Sequence, residues 1–93
     1  MSEKTIQVPE RFDFSYHKQF TDQYQAVLND SGIKEIALDF SKVGYLDSSA
    51  LGMMVLFQKK AKQMNIKVRI RGARESAKEI LQIANFDRLF EIA

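Results

Sequence analysis

The chain has 93 residues, of which 45% are apolar and 28% charged, with a net charge of +2. That is one ordinary globular domain, 1–93, with a single core and no basic footprint of the kind a nucleic-acid binder carries. It has no cysteine and one histidine, His17, which excludes disulfides, thiolate sites, cysteine nucleophiles and multi-histidine metal cages. No metal or cofactor is expected. No apolar run approaches the ~20 residues of a membrane-spanning helix, and the N-terminus lacks a signal-peptide core. A cytoplasmic protein with no membrane partner is therefore expected.

In chain order, the first strand is predicted at Thr5–Val8, with Ile6 and Val8 on one face and Pro9 ending it. Phe12 and Phe14 continue the alternation through a bend. A helix comes next, from Tyr16 to Asn29, its apolar stripe being Phe20, Tyr24, Val27 and Leu28. Asn29-Asp30-Ser31-Gly32 stops it. Glu35–Phe40 reads as the second strand, with Ile36, Leu38 and Phe40 on one side, and Ser41–Leu46 as a loop. The next helix runs from Ser48 to Met64 on the stripe Ala50, Met53, Met54, Phe57, Ala61 and Met64; its first half is apolar nearly all round. Ile66–Arg71 is the third strand, closed by Gly72. A helix from Arg74 to Ala84 carries Ala77, Ile80, Leu81 and Ala84. Asn85 stands where a left-handed C-cap is common, and Phe86, Leu89, Phe90 and Ile92 return the chain to the core.

Strands separated by helices require crossovers, so neighbouring strands should run parallel. Ile66, Val68 and Ile70 alternate with Lys67, Arg69 and Arg71, whereas a sheet covered on both faces shows continuous apolar strands. The expected fold is a small α/β domain, a mixed or parallel sheet with helices mainly on one face.

The segment Asp47-Ser48-Ser49-Ala50-Leu51-Gly52 opens the most apolar helix. A helix cap at Asp47 or Ser48, worth ~1 kcal/mol, would account for part of it. Two hydroxyls and a carboxylate exceed what one cap needs, and a helix N-terminus tolerates a phosphate. On spacing alone both readings stand.

The run Asp39-Phe40-Ser41-Lys42-Val43-Gly44-Tyr45-Leu46-Asp47-Ser48-Ser49-Ala50-Leu51-Gly52 resembles the signature of STAS domains, the family of bacterial anti-sigma factor antagonists. Arg11-Phe12-Asp13-Phe14 sits where that family has Gly-Glu-Leu-Asp. The stretch Ala77 to Phe90 is similar to its closing helix and Asp-Arg-Leu-Phe tail, so the likeness spans residues 5 to 93. The resemblance implies that Ser49 is a phosphoacceptor, with Asp47 and Ser48 beside it and Asp13 near the partner-binding surface. Ala50 replaces the usual glycine, Glu10 stands where a glycine is common, and the strand that opens the family fold is expected to be missing.

What the resemblance implies is a phosphoprotein that regulates transcription in bacteria and is not an enzyme. Unphosphorylated, it binds an anti-sigma factor with serine-kinase activity; phosphorylation at Ser49 switches it off, and a serine phosphatase resets it. Nucleotide and Mg²⁺ belong to the kinase. Ala50 and Met53 are expected with the switch residues; Met53 and Met54 are expected to pack the core, the alternative being one of them exposed beside Ser49, where a thioether suits a partner surface.

A Ser49–His17–Asp13 triad can be written down, but it lacks the Gly-x-Ser-x-Gly elbow, and His17 reads as a solvated residue at a helix start. Lys59, Lys60, Lys62, Lys67, Arg69, Arg71 and Arg74 suggest a small basic nucleic-acid-binding domain, but no aromatic residues interleave with them. A regulatory module for another bacterial signalling or transport complex would use the same fold.

Overall fold

The computed structural model describes residues 3–30 and 32–92; Ser31 of the predicted turn lies outside them. The strands are β1 (Glu3–Gln7), β2 (Arg11–Phe12), β3 (Glu35–Asp39), β4 (Tyr45–Leu46), β5 (Lys67–Arg71) and β6 (Glu91–Ile92). The helices are α1 (His17–Leu28), α2 (Ser48–Gln63) and α3 (Glu75–Ile83), with 3-10 turns at Phe14–Tyr16 and Phe86–Arg88. β1, β3, β5 and β6 form one all-parallel sheet in that order, and β2 and β4 form a second, two-stranded parallel sheet. Each helix is the crossover that a parallel pair demands.

The inward face of the main sheet is set by register. Ile6 lies beside Leu38 and Leu38 beside Ile70, and all three are buried with residues from every helix in one core. Phe20 and Tyr24 of α1 meet Phe57 of α2, the Tyr24 and Phe57 rings stacking at 4.9 Å. Phe12 leans on Phe20 at 5.2 Å, so the short β2 is fastened to the core through its one inward side chain.

The opposite face is polar, as the alternation in β5 implied. Thr5, Ala37 and Arg69 are neighbours there. The small Ala37 lets Arg69 of β5 reach over β3 to Glu3 of β1, and Arg71 reaches over it to Thr5. Ala37 is fully buried beneath these side chains.

Several expectations change. β1 spans Glu3–Gln7, although Val8 is buried and its amide continues the ladder to Asp39 O at 3.1 Å. The helix predicted from Tyr16 begins at His17, because Asp13 first winds residues 14–16 into a 3-10 turn. The predicted loop 41–46 contains β4, drawn onto β2 by Glu10 O, which accepts from the Gly44 and Tyr45 amides. Met64 (50% exposed) and Leu89 (42%) lie outside the core that their spacing suggested, and Ile80 is only partly shielded. Asn85 does adopt the left-handed conformation, at φ 60°. Gly72 has φ 73°, and a Cβ there would stand 3.3 Å from Ser41 Cβ. The C-terminal return is the 3-10 turn at Phe86–Arg88 and then β6, with Phe86 and Phe90 buried.

Candidate functional site

β2 and β4 are each followed by an aspartate that leads into a helical turn, and they lie side by side. Register pairs Arg11 with Tyr45 and Phe12 with Leu46. Phe12 and Leu46 point into the core. Side chains alternate along a strand, so Arg11 and Asp13 share the outward face of one strand, and Tyr45 and Asp47 that of the other. The chain thus contains two adjacent strand–Asp–x–Ser turns, ending in Ser15 and Ser49.

Both aspartates have extended backbones and both act as caps. Asp13 Oδ1 accepts from the Ser15 amide at 2.9 Å and also from the Ser15 hydroxyl. Asp13 Oδ2 accepts from Arg11 Nε at 2.6 Å. The Ser15 hydroxyl bond, then the Arg11 partner, holds the Asp13 carboxyl below the usual carboxylate range. Asp47 behaves differently. Its Oδ1 accepts from the Ala50 amide at 3.0 Å, one residue further on, which satisfies one of the first-turn amides that have no partner inside the helix. The Ser49 hydroxyl takes part in no hydrogen bond among the described residues. Ser48 is exposed and Ser49 half-buried.

The structure brings Asp13, Asp47, Ser48 and Ser49 to one end of the molecule, at the carboxyl ends of β2 and β4. It does not place Ala50 and Met53 on that surface. Ala50 is fully buried and Met53 is 7% exposed, while Met54 is fully buried. Positions 50, 53, 54 and 57 form the stripe by which α2 packs, so neither methionine is available as an exposed thioether. His17 stacks on the exposed Phe14 ring at 5.5 Å, and no hydrogen bond among the described residues joins it to Asp13 or Ser49; the triad geometry is absent. No group of three or more His, Asp or Glu side chains among the described residues is placed to hold a metal ion.

Two residues of the site went unnoticed in the sequence. The Arg11 guanidinium lies over the Tyr45 ring, 4.7 Å from its centroid, so a cation sits on the outward face between the two capped turns. Asp13, with Asp47 contributing less, raises the Arg11 pKa above its ordinary value. The recurrence of Asp-x-Ser at 13–15 and 47–49 was the available signal, although Asp39-Phe40-Ser41 carries the same pattern after β3. β4 also forms one wall of a notch of about 170 Å³ between Tyr45, Leu46, Ala77 and Ile80.

The family model described as "Mlab, STAS domain" matches residues 2–91. A STAS-domain containing protein of Pseudomonas aeruginosa (strain UCBPP-PA14) is 37% identical over 91 residues, covering 98% of this chain and 88% of its own. Among solved structures, the Bacillus cell fate determinant SpoIIAA in its phosphorylated form superposes with a TM-score of 0.74 at 12% identity, covering 99% of this chain and 83% of the other. Unphosphorylated SpoIIAA, an anti-sigma factor antagonist, gives 0.82 at 12% identity, covering 99% and 80%. A sulfate transporter family protein from Wolinella succinogenes gives 0.82 at 16% identity, covering 99% and 76%. These structural likenesses establish a common fold.

Proposed function

The chain belongs to the STAS-domain family, and from that premise we propose that it is a protein-binding switch operated by phosphorylation of Ser49. In its unmodified form it binds an anti-sigma factor that is also a serine kinase, so freeing a sigma factor. The kinase transfers a phosphoryl group from ATP to the Ser49 hydroxyl, and a separate phosphatase removes it.

The observation that carries this reading is the contrast between the two turns. Ser15 is fixed by Asp13 through both its amide and its hydroxyl. Asp47 skips Ser49 and caps Ala50, leaving a half-exposed hydroxyl in the first turn of a well-anchored helix. Helix N-termini accommodate negative charge, so a phosphate there need not disturb the fold. A partner meets a different balance. The surface already holds two carboxylates, Asp13 and Asp47, against one guanidinium, Arg11; phosphate adds roughly 1.5 to 2 further negative charges. A contact that must desolvate those charges weakens by several kcal/mol where they are left unpaired.

The neighbour SpoIIAA supports the reading: it was solved in a phosphorylated form, and unphosphorylated it is an anti-sigma factor antagonist. The test is recovery of bound proteins from the native cell, using tagged protein with Ser49 intact and Ser49→Asp. Mass spectrometry of the recovered chain would show phosphate on Ser49. A kinase bound by the first and lost from the second is expected. Equal recovery by both, with no phosphate on Ser49, would overturn the switch.

A further inference from the structure

We propose that Arg11 is the residue that binds the phosphate carried by Ser49, leaving Asp13 to do so. The inference rests on the reading of Ser49 as the phosphoacceptor. It begins from what holds Arg11 in the unmodified chain. Only Nε donates, to Asp13 Oδ2 at 2.6 Å; the two terminal nitrogens make no hydrogen bond among the described residues. The side chain is 70% exposed, and its guanidinium carbon sits 4.7 Å from the Tyr45 ring centroid. A planar fork with unused donors, resting on an aromatic face, is suited to two-pronged phosphate contacts.

Register fixes its position. Arg11 is the direct neighbour of Tyr45 across the β2–β4 pair, and the chain from Tyr45 passes through Asp47 into the first turn of α2. Arg11 therefore lies beside the strand that delivers Ser49, and on its solvent side, since Phe12 and Leu46 occupy the core side. The lysines of α2 are no substitute. Lys59, Lys60 and Lys62 lie three turns along the helix, towards its other end.

Competition for Arg11 favours the phosphate. It offers more charge and three acceptor oxygens where Asp13 offers one carboxylate. Asp13 also gives up little, because both bonds from Ser15 remain. Moving an exposed guanidinium a short way costs little desolvation. The move uncovers Tyr45 and releases the second Asp13 oxygen, so one modification alters both turns of the platform.

The test uses full-length protein with phosphoserine installed at position 49 during translation, so no kinase is required. Phosphorus-31 NMR follows the second ionisation of the phosphate, and nitrogen-15 NMR follows the Arg11 Nε–H. In the natural chain the phosphate should ionise at least about half a pH unit lower than in Arg11→Gln, because a nearby cation favours the dianion. The Arg11 Nε–H signal should move when Ser49 is phosphorylated, and the Asp13 carboxyl should titrate at higher pH than in the unmodified protein. Arg11→Lys should fall between the other two, keeping charge without the fork. Equal phosphate ionisation in the natural chain and Arg11→Gln, with an unmoved Arg11 signal, overturns the proposal. The Arg11 signal needs no variant, so a misfolded substitution leaves the test intact. Partner binding by the same phosphoprotein is a separate readout, so loss of the clamp and loss of the switch are distinguishable.

Discussion

Two turns that share an apolar-Asp-x-Ser pattern, Phe12-Asp13-Phe14-Ser15 and Leu46-Asp47-Ser48-Ser49, lie side by side and differ in how the aspartate is used. In the first, the aspartate bonds the serine two residues on and winds only a single 3-10 turn. In the second it bonds the residue three on and caps a 16-residue helix. One residue of difference in the reach of a carboxylate decides whether the serine hydroxyl is bound. The packing of α2 explains the choice: Ala50, Met53, Met54 and Phe57 are buried, so the second turn is pulled into α-helical geometry by its own core stripe. In the first turn the position that matches the fully buried Ala50 is Tyr16, which is only partly buried.

The largest test of this contrast is acceptor choice. With the cognate kinase and ATP, the unaltered chain, Ser48→Ala and Ser15→Ala should each take up phosphate, and Ser49→Ala none. Phosphate on Ser15 in the Ser49→Ala protein would show that hydroxyl engagement does not select the site, and phosphate on Ser48 there would show that the acceptor is not Ser49. Next is the effect of charge. Ser49→Asp should bind the partner at least ~30-fold more weakly, about 2 kcal/mol, with circular dichroism and melting close to those of the unaltered chain. Unfolding of that variant would mean the second turn does not tolerate charge.

Smaller effects separate the two caps. Asp47→Ala should cost ~1 kcal/mol, a fall of roughly 4–8 °C in Tm for a domain of this size. Asp13→Asn keeps most of the geometry and should change melting little while lowering partner affinity or Ser49 phosphorylation. A large stability loss with unaltered binding would make Asp13 a cap and nothing more. The smallest expected effect is acid sensitivity. Asp13 is held low by Ser15 and Arg11, and Asp39 by the Ser41 amide and hydroxyl. Their folded-state values lie below the unfolded value near 4, so their contribution is complete above about pH 4 and is lost as pH falls through the folded values. Thermal melts from pH 5 to pH 2 should show the acid loss shrink in a Ser15→Ala, Asp39→Asn double variant.

The long elements were legible because period is a property of sequence. The α1 residues Phe20, Tyr24 and Leu28 and the β5 residues Val68 and Ile70 point where spacing said they would. β2 and β4 were not legible, since two residues carry no period and their pairing joins segments far apart in the chain. Met64 and Leu89 misled: Met64 is the C-cap of α2, past its last helical residue, and Leu89 is exposed between the buried Phe86 and Phe90. The start of α2 and its capping aspartate were readable from Asp47-Ser48-Ser49. The place of Arg11 was not, because its contacts depend on the register of β2 against β4.

In the main sheet, spatial order matches chain order, β1-β3-β5-β6. Each strand leaving the ribosome therefore finds its neighbour already made, and the sheet can grow from one edge without waiting for later chain. The exception is β2, which has no partner until β4 emerges. The β2–β4 platform beside Ser49 is thus assembled only once Leu46 has emerged, as α2 begins to be synthesised. A nascent chain that has β1, α1 and β3 in place still lacks that platform, so on the proposed reading it offers a kinase nothing to recognise until β4 and the start of α2 have joined it.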